Sequence, residues 1–247
     1  MLTALLLADP VTVRRVQGFL HGFVVLKDLD GKILASGDVT QIPSGNHITT
    51  TLKLHFRDGS VYEQTAAYSQ RKIFQLLSYK EVQKGPAFNK PTVLSFDTTS
   101  GNITIQQTGE DAKVKDITKR LDLPADLANG ILPTLVSNID PNAETVLSML
   151  VATPEPRIVK LKISPAGQDS FSVGGAGNKA EHYIMKIDIG GVTGAVAKVV
   201  GKQPPPIHMW MLAGNAPIFL KSESQLFEDG PIWRMELASP VWPSSQK

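Results

Sequence analysis

The sequence predicts a mainly β protein: a large curved antiparallel sheet, or incomplete barrel, with short helices packed on its concave face. Three observations carry that prediction. Ile48, Thr50, Leu52, Leu54 and Phe56 share one parity and Thr49, Thr51, Lys53 and His55 the other, the period-2 alternation of a half-buried strand. Asp-Gly turns at Asp30-Gly31, Asp58-Gly59 and Asp229-Gly230 reverse the chain, so antiparallel hairpins form near both ends. Between the two strand-rich halves, Leu121, Leu123, Leu127, Ile131, Leu132 and Leu135 recur at near-helical spacing.

Taken in order, the first half reads as a meander with strands at 18–27, 33–41, 48–56, 61–68, 73–82, 93–97 and 103–107. Its connections contain Asp30-Gly31, Gly45-Asn46, Asp58-Gly59, Gly85-Pro86 and Gly101-Asn102, residues that tolerate positive φ or preset a turn. A helical insertion is expected over 116–138. Asp122 would cap it, Pro124 fits a first turn, and Gly130 would end one short helix before a second begins near Pro133. Strands resume at 144–152, 157–163, 179–189, 207–213, 217–223 and 232–238. The small-residue segment 190–201, closed by Pro204-Pro205-Pro206, is expected as a short buried helix.

Residues 10–247 are expected to form one domain, since a chain of this length can bury a full core and has no long polar linker. Residues 1–9 are apolar and lack a basic start. They read either as the remnant of a signal sequence, which would place the protein in the periplasm or otherwise outside the cytoplasm, or as a first packed segment in a protein of any compartment. Nowhere else does an apolar run approach the roughly 18 residues a membrane-spanning helix needs.

Charge and composition narrow the chemistry. Lys and Arg total 25 against 23 Asp and Glu, a net +2 without a basic stripe, which argues against nucleic acid as a partner. The absence of cysteine excludes disulfides, Cys-ligated zinc, iron–sulfur clusters and a thiol nucleophile. Gly175-Ala176-Gly177-Asn178-Lys179-Ala180 fits a loose dinucleotide fingerprint, but the alternating residues after it predict a strand where a pyrophosphate needs a helix N-terminus. A hairpin loop explains those glycines better. There is no G-x-S-x-G elbow and no H-E-x-x-H motif.

No catalytic residue, metal ligand or cofactor is therefore assigned. Glu63, Asp188, Glu223 and Glu236 lie on expected strands and would become acid–base candidates if they faced a cavity; a solvated face is the plainer reading, as it is for Lys160, Lys162 and Lys186. Of the five histidines, His55, His182 and His208 could meet across strands, although solvated strand histidines are commoner. Aromatic residues form the more suggestive group. Phe56, Tyr68, Phe74, Trp210, Phe219 and Trp233 are the expected lining of an apolar cavity on the concave face; alternatively they are ordinary core beneath the helices.

Several segments resemble an uncharacterised bacterial family: Leu20 with His21-Gly22-Phe23, Arg57-Asp58-Gly59-Ser60, Lys84-Gly85-Pro86, Gly190-Gly191-Val192-Thr193-Gly194, Lys202-Gln203-Pro204-Pro205 and Gly230-Pro231-Ile232-Trp233-Arg234. The order of many strands, a helical insertion, more strands and a Trp-containing last hairpin is similar to LolA-like lipoprotein carriers. That similarity is architectural and transfers no residue. It implies the fold, a curved antiparallel sheet with helices over its mouth, while the expected apolar cavity leads to the functional expectation: a non-enzymatic carrier or binding protein in the bacterial envelope for a lipid or other apolar or amphipathic small molecule. Two alternatives remain open: an enzyme using a carboxylate or histidine in the same cavity, and an interaction module that pairs through a sheet edge. Oligomeric state is left open.

Overall fold

Alternation and turn chemistry translate directly into strands and hairpins. At the Asp58-Gly59 turn, Phe56 N–H donates to the Ser60 carbonyl, Ser60 N–H donates to the Asp58 carboxylate at 2.9 Å, and Gly59 takes φ +87°, a value that favours glycine. The computed structural model describes residues 10–109, 113–152, 155–173, 175–188 and 204–238.

The first meander comprises β1 (Leu20–Lys27), β2 (Ile33–Ser44), β3 (His47–Phe56), β4 (Val61–Gln70), β5 (Phe74–Lys84), β6 (Thr92–Asp97), β7 (Asn102–Thr108) and β8 (Val114–Arg120). The second comprises β9 (Thr145–Val151), β10 (Arg157–Val173), β11 (Ala176–Asp188), β12 (Ile207–Leu212), β13 (Phe219–Gln225) and β14 (Ile232–Leu237). Every neighbour is antiparallel. β1 pairs with β14, placing Val24 opposite Leu237 and Leu26 opposite Met235, so the first and last strands form the seam of one 14-stranded sheet and β8 and β9 are its ends. The sheet is open, not a closed barrel. Among the described residues, no helix is long and apolar enough to cross a membrane.

Residues 121–144 run back from β8 to β9 across the concave face and carry the single helical turn α1 (Leu132–Val136). Leu127, Ile131, Leu135, Val136 and Ile139 are buried there. They join the inward side chains of β3–β7 to those of β9–β12 in one apolar cluster that includes Tyr68, Phe74, Leu147, Leu161, Tyr183 and Met185. This segment is the plug of the sheet. Its end is fastened by Asn138, whose Oδ1 accepts from Arg14 N at 3.0 Å and Arg15 N at 2.7 Å, while its Nδ2 donates to the Thr134 carbonyl at 2.9 Å.

Three differences from the sequence reading have physical causes. Residues 116–120 are strand, because Ile117 pairs opposite Ile105 and extends the meander by one more element. Among the described residues helix is confined to α1; the backbone of 126–128 is instead engaged with β9, Ala128 N–H donating to the Ser148 carbonyl at 2.9 Å, and Gly130 takes φ +73°. Tertiary pairing here overrides local helical spacing. The hairpin of β10 and β11 is longer than expected, continuing past an irregularity between Pro165 and Gln168 to Val173. Because Ala176 begins a strand, the loose dinucleotide fingerprint has no helix behind it. The expected helix at 190–201 and the apolar residues 1–9 lie outside the described residues.

Candidate functional site

Simple alternation from Phe74 and Leu76 would send Ser78 and Lys80 inward and Tyr79 and Glu81 outward. A bulge reverses this. Tyr68 lies opposite Leu76 but Ala67 lies opposite Ser78, leaving Leu77 as the extra residue, and beyond it Tyr79, Glu81 and Gln83 face the concave side. Their cross-strand partners on β4 are Ala66, Gln64 and Tyr62. Two tyrosines, two glutamines and one carboxylate thus converge within an apolar face.

The Glu81 carboxylate accepts on Oε2 from the Tyr79 hydroxyl at 2.5 Å and the Tyr62 hydroxyl at 3.0 Å, and on Oε1 from Gln83 Nε2 at 2.7 Å. Gln64 Nε2 in turn donates to both tyrosine oxygens, at 3.1 and 2.8 Å. Among the described residues no cation forms an ion pair with Glu81. Burial raises its carboxyl above the ordinary glutamate value, against the opposing pull of the four side chains that hydrogen-bond around it. Burial, and then the charge of Glu81, hold the Tyr62 and Tyr79 hydroxyls well above the usual tyrosine value. Such a carboxylate can accept a proton or meet a polar headgroup that enters the apolar face.

An aromatic cluster adjoins it. Phe56 contacts Phe88 (centroids 5.5 Å apart), Phe88 contacts Phe227 (5.4 Å), Phe227 contacts Trp233 (5.8 Å), and Trp233 returns to Phe56 (5.5 Å). Tyr62, 6.5 Å from Phe88, links these rings to Glu81. A Cβ on Gly230 would stand 2.9 Å from the Phe227 ring, so glycine is what lets this loop phenylalanine fold inward.

The six aromatics singled out from the sequence occupy separate places. Phe56 and Trp233 belong to the cluster beside Glu81. Tyr68 and Phe74 lie further along the same face beneath the plug, the Tyr68 hydroxyl donating to Gln41 Oε1 at 2.9 Å, and Phe219 packs at the margin of that core. Trp210 lies on the opposite face with Phe171, Ala180 and Leu220, because it alternates with the core residues Met209 and Met211.

Around Trp210 the outer face is densely polar. His182 stacks on the indole (4.2 Å, 4°), Lys221 Nζ stands 3.8 Å from the ring centroid, and Trp210 Nε1 donates to Asp169 Oδ2 at 2.6 Å. His182 Nε2 and His208 Nδ1 are 3.0 Å apart. Of the carboxylates weighed from the sequence, Glu223 pairs with Arg234 at 2.8 Å, Glu236 pairs with Lys27, and Glu63 lies 3.9 Å from Lys53. His55 is exposed and does not join the other two histidines. Burial lowers the Lys221 ammonium and the His182 imidazole, the latter helped by His208. Elsewhere on the outer face, Thr65, Ser78, Lys80, Ser95, Asp97 and Thr104 line a shallow polar depression of about 420 Å³.

Sequence reasoning missed Glu81, Gln64 and Gln83. The signal was present as Tyr62-x-Gln64 on one strand and Tyr79-x-Glu81-x-Gln83 on the next, but only the bulge at Leu77 turns both toward the same side. No protein-family model, curated protein or solved structure matches the chain.

Proposed function

We propose that the protein is a non-enzymatic carrier or binding protein for an amphipathic, lipid-like molecule, taken up between the concave face and the plug in an extracytoplasmic compartment. The observation that supports it is how the largest apolar surface is covered. The cover is a segment with one helical turn, fastened at Asn138 and along β9. Burying the five plug aliphatics is worth about 1.5–3 kcal/mol each, whereas an acyl chain of about 16 carbons gains about 0.8 kcal/mol per methylene. The two are comparable, so a chain of that length can exchange with the plug. Glu81 supplies a polar acceptor beside the plug, because Tyr79, which donates to it, also lies against Gly130 of the plug.

The test is native mass spectrometry of protein purified from its own source, with solvent extraction, followed by titration with a fluorescent fatty acid. A co-purifying amphiphile, or saturable uptake that competes with unlabelled fatty acid, is expected. Repeated isolation of empty protein that takes up no probe would end the carrier reading. The elevated carboxyl of Glu81 favours a second reading, an enzyme with Glu81 as acid–base group. That reading requires chemical turnover of the extracted molecule, abolished in Glu81→Gln.

A further inference from the structure

We propose that His182 and His208 form a binding site for a late first-row transition-metal ion, Cu(II) foremost, on the outer face of β11 and β12. The site is independent of the plug and of the carrier reading. His182 pairs opposite Trp210, and His208 opposite Ile184, so the two imidazoles are diagonal neighbours on one face. Their Nε2 and Nδ1 atoms are 3.0 Å apart. Metal–imidazole bonds are about 2.0–2.1 Å long, so two of them set at right angles span about 2.9 Å. The separation already present equals the span of a cis pair, and loading requires each imidazole to turn so that its lone pair leaves the N–N line and points to the shared ion.

The rings are also held in place. His182 lies flat against Trp210, and that indole is fixed from its edge by Asp169 and flanked by the Lys221 ammonium. Both imidazoles are half-buried. In the unloaded protein one ring donates its N–H to the other. Loading requires the donor ring to move that proton to its second nitrogen, which frees both facing lone pairs with no net release of protons.

Among the described residues no third His, Asp or Glu completes a ligand set, so water fills the remaining positions. Glu223, the cross-strand partner of His208, is held by Arg234 and lies 3.8 Å from Lys221, so these two cations balance its charge. Two imidazoles with water match the tetragonal nitrogen and oxygen preference of Cu(II), which also leads the divalent affinity order.

Trp210 supplies the readout, since a paramagnetic ion bound to His182 would quench the indole stacked on it. Titration of the full chain with CuCl2 is expected to give saturable quenching at one ion per protein, with nitrogen hyperfine structure in the EPR spectrum. His182→Gln and His208→Gln should each weaken binding at least tenfold, while His55→Gln leaves it unchanged. Two variants guard against misfolding of either one, with far-UV circular dichroism as the check. If folded His182→Gln or His208→Gln binds Cu(II) as tightly as the parent, or if quenching never saturates, the site does not exist.

Discussion

At the scale of single residues, Glu81 sets the most direct test of how burial and hydrogen bonding compete. Its carboxyl is raised by burial, so the folded protein holds that proton more tightly than the unfolded chain. A group of this sign stabilises most below its unfolded value and loses that contribution as pH rises through the folded one. Glu81→Gln keeps the shape and removes the titration. Urea midpoints of parent and variant are therefore expected to diverge with pH, the parent gaining on the variant as pH is lowered from 7 to 4. A difference that stays constant over that range would mean that the Glu81 carboxyl titrates alike in the folded and unfolded chains, so that burial does not raise it. Glu81→Ala is a separate case: it also strips the acceptor from two buried tyrosine hydroxyls and should cost about 1–3 kcal/mol beyond Glu81→Gln.

Among the elements, the plug depends on a glycine at its contact with the sheet. Gly130 has φ +73°, and a Cβ there would come within 2.8 Å of the Tyr79 ring and 2.9 Å of the Ala66 Cβ. Gly130→Ala is expected to destabilise by about 1–3 kcal/mol through the left-handed backbone and the clash together. Hydrogen exchange should rise first at 127–139, before the amides of β3 and β4; uniform loss of protection would show that the plug is not a separate unit. The same region marks how far the sequence could be read. Strands with clean alternation and Asp-Gly turns, such as 48–56 and 61–68, were legible because both signals are local. Residues 121–131 were not, because their leucines keep helical spacing while the backbone of 126–128 is committed to β9, a non-local pairing. Glu81 was hidden for a related reason: the single extra residue Leu77 reverses parity, and only the pairing with β4 reveals it.

At the scale of the whole molecule, the two meanders are joined in the sheet by four residue pairs between β1 and β14, from Val24 to Lys27. Leu26 lies in that seam and is 1% exposed, so Leu26→Ala should cost about 2–5 kcal/mol and shift a single urea transition of both halves; one half melting alone would contradict it. The outer ends of the sheet are managed differently. β9 is covered by 126–129, where Asn129 imitates a strand by accepting from Leu150 N at 2.8 Å and donating to its carbonyl at 2.9 Å. Among the described residues β8 has no such cover in the strand order, and it carries Lys115 and Lys119 in the same inward row as Ile117. Lysines pointing inward on an end strand oppose pairing with a second chain, because pairing would bury their charge. Lys115→Val combined with Lys119→Val removes that defence and leaves a β-prone apolar edge. Sedimentation velocity should then show concentration-dependent association absent from the parent. If the double variant sediments like the parent at every concentration, neither these lysines nor the 3.6 Å approach of Lys119 to Glu155 guards this edge.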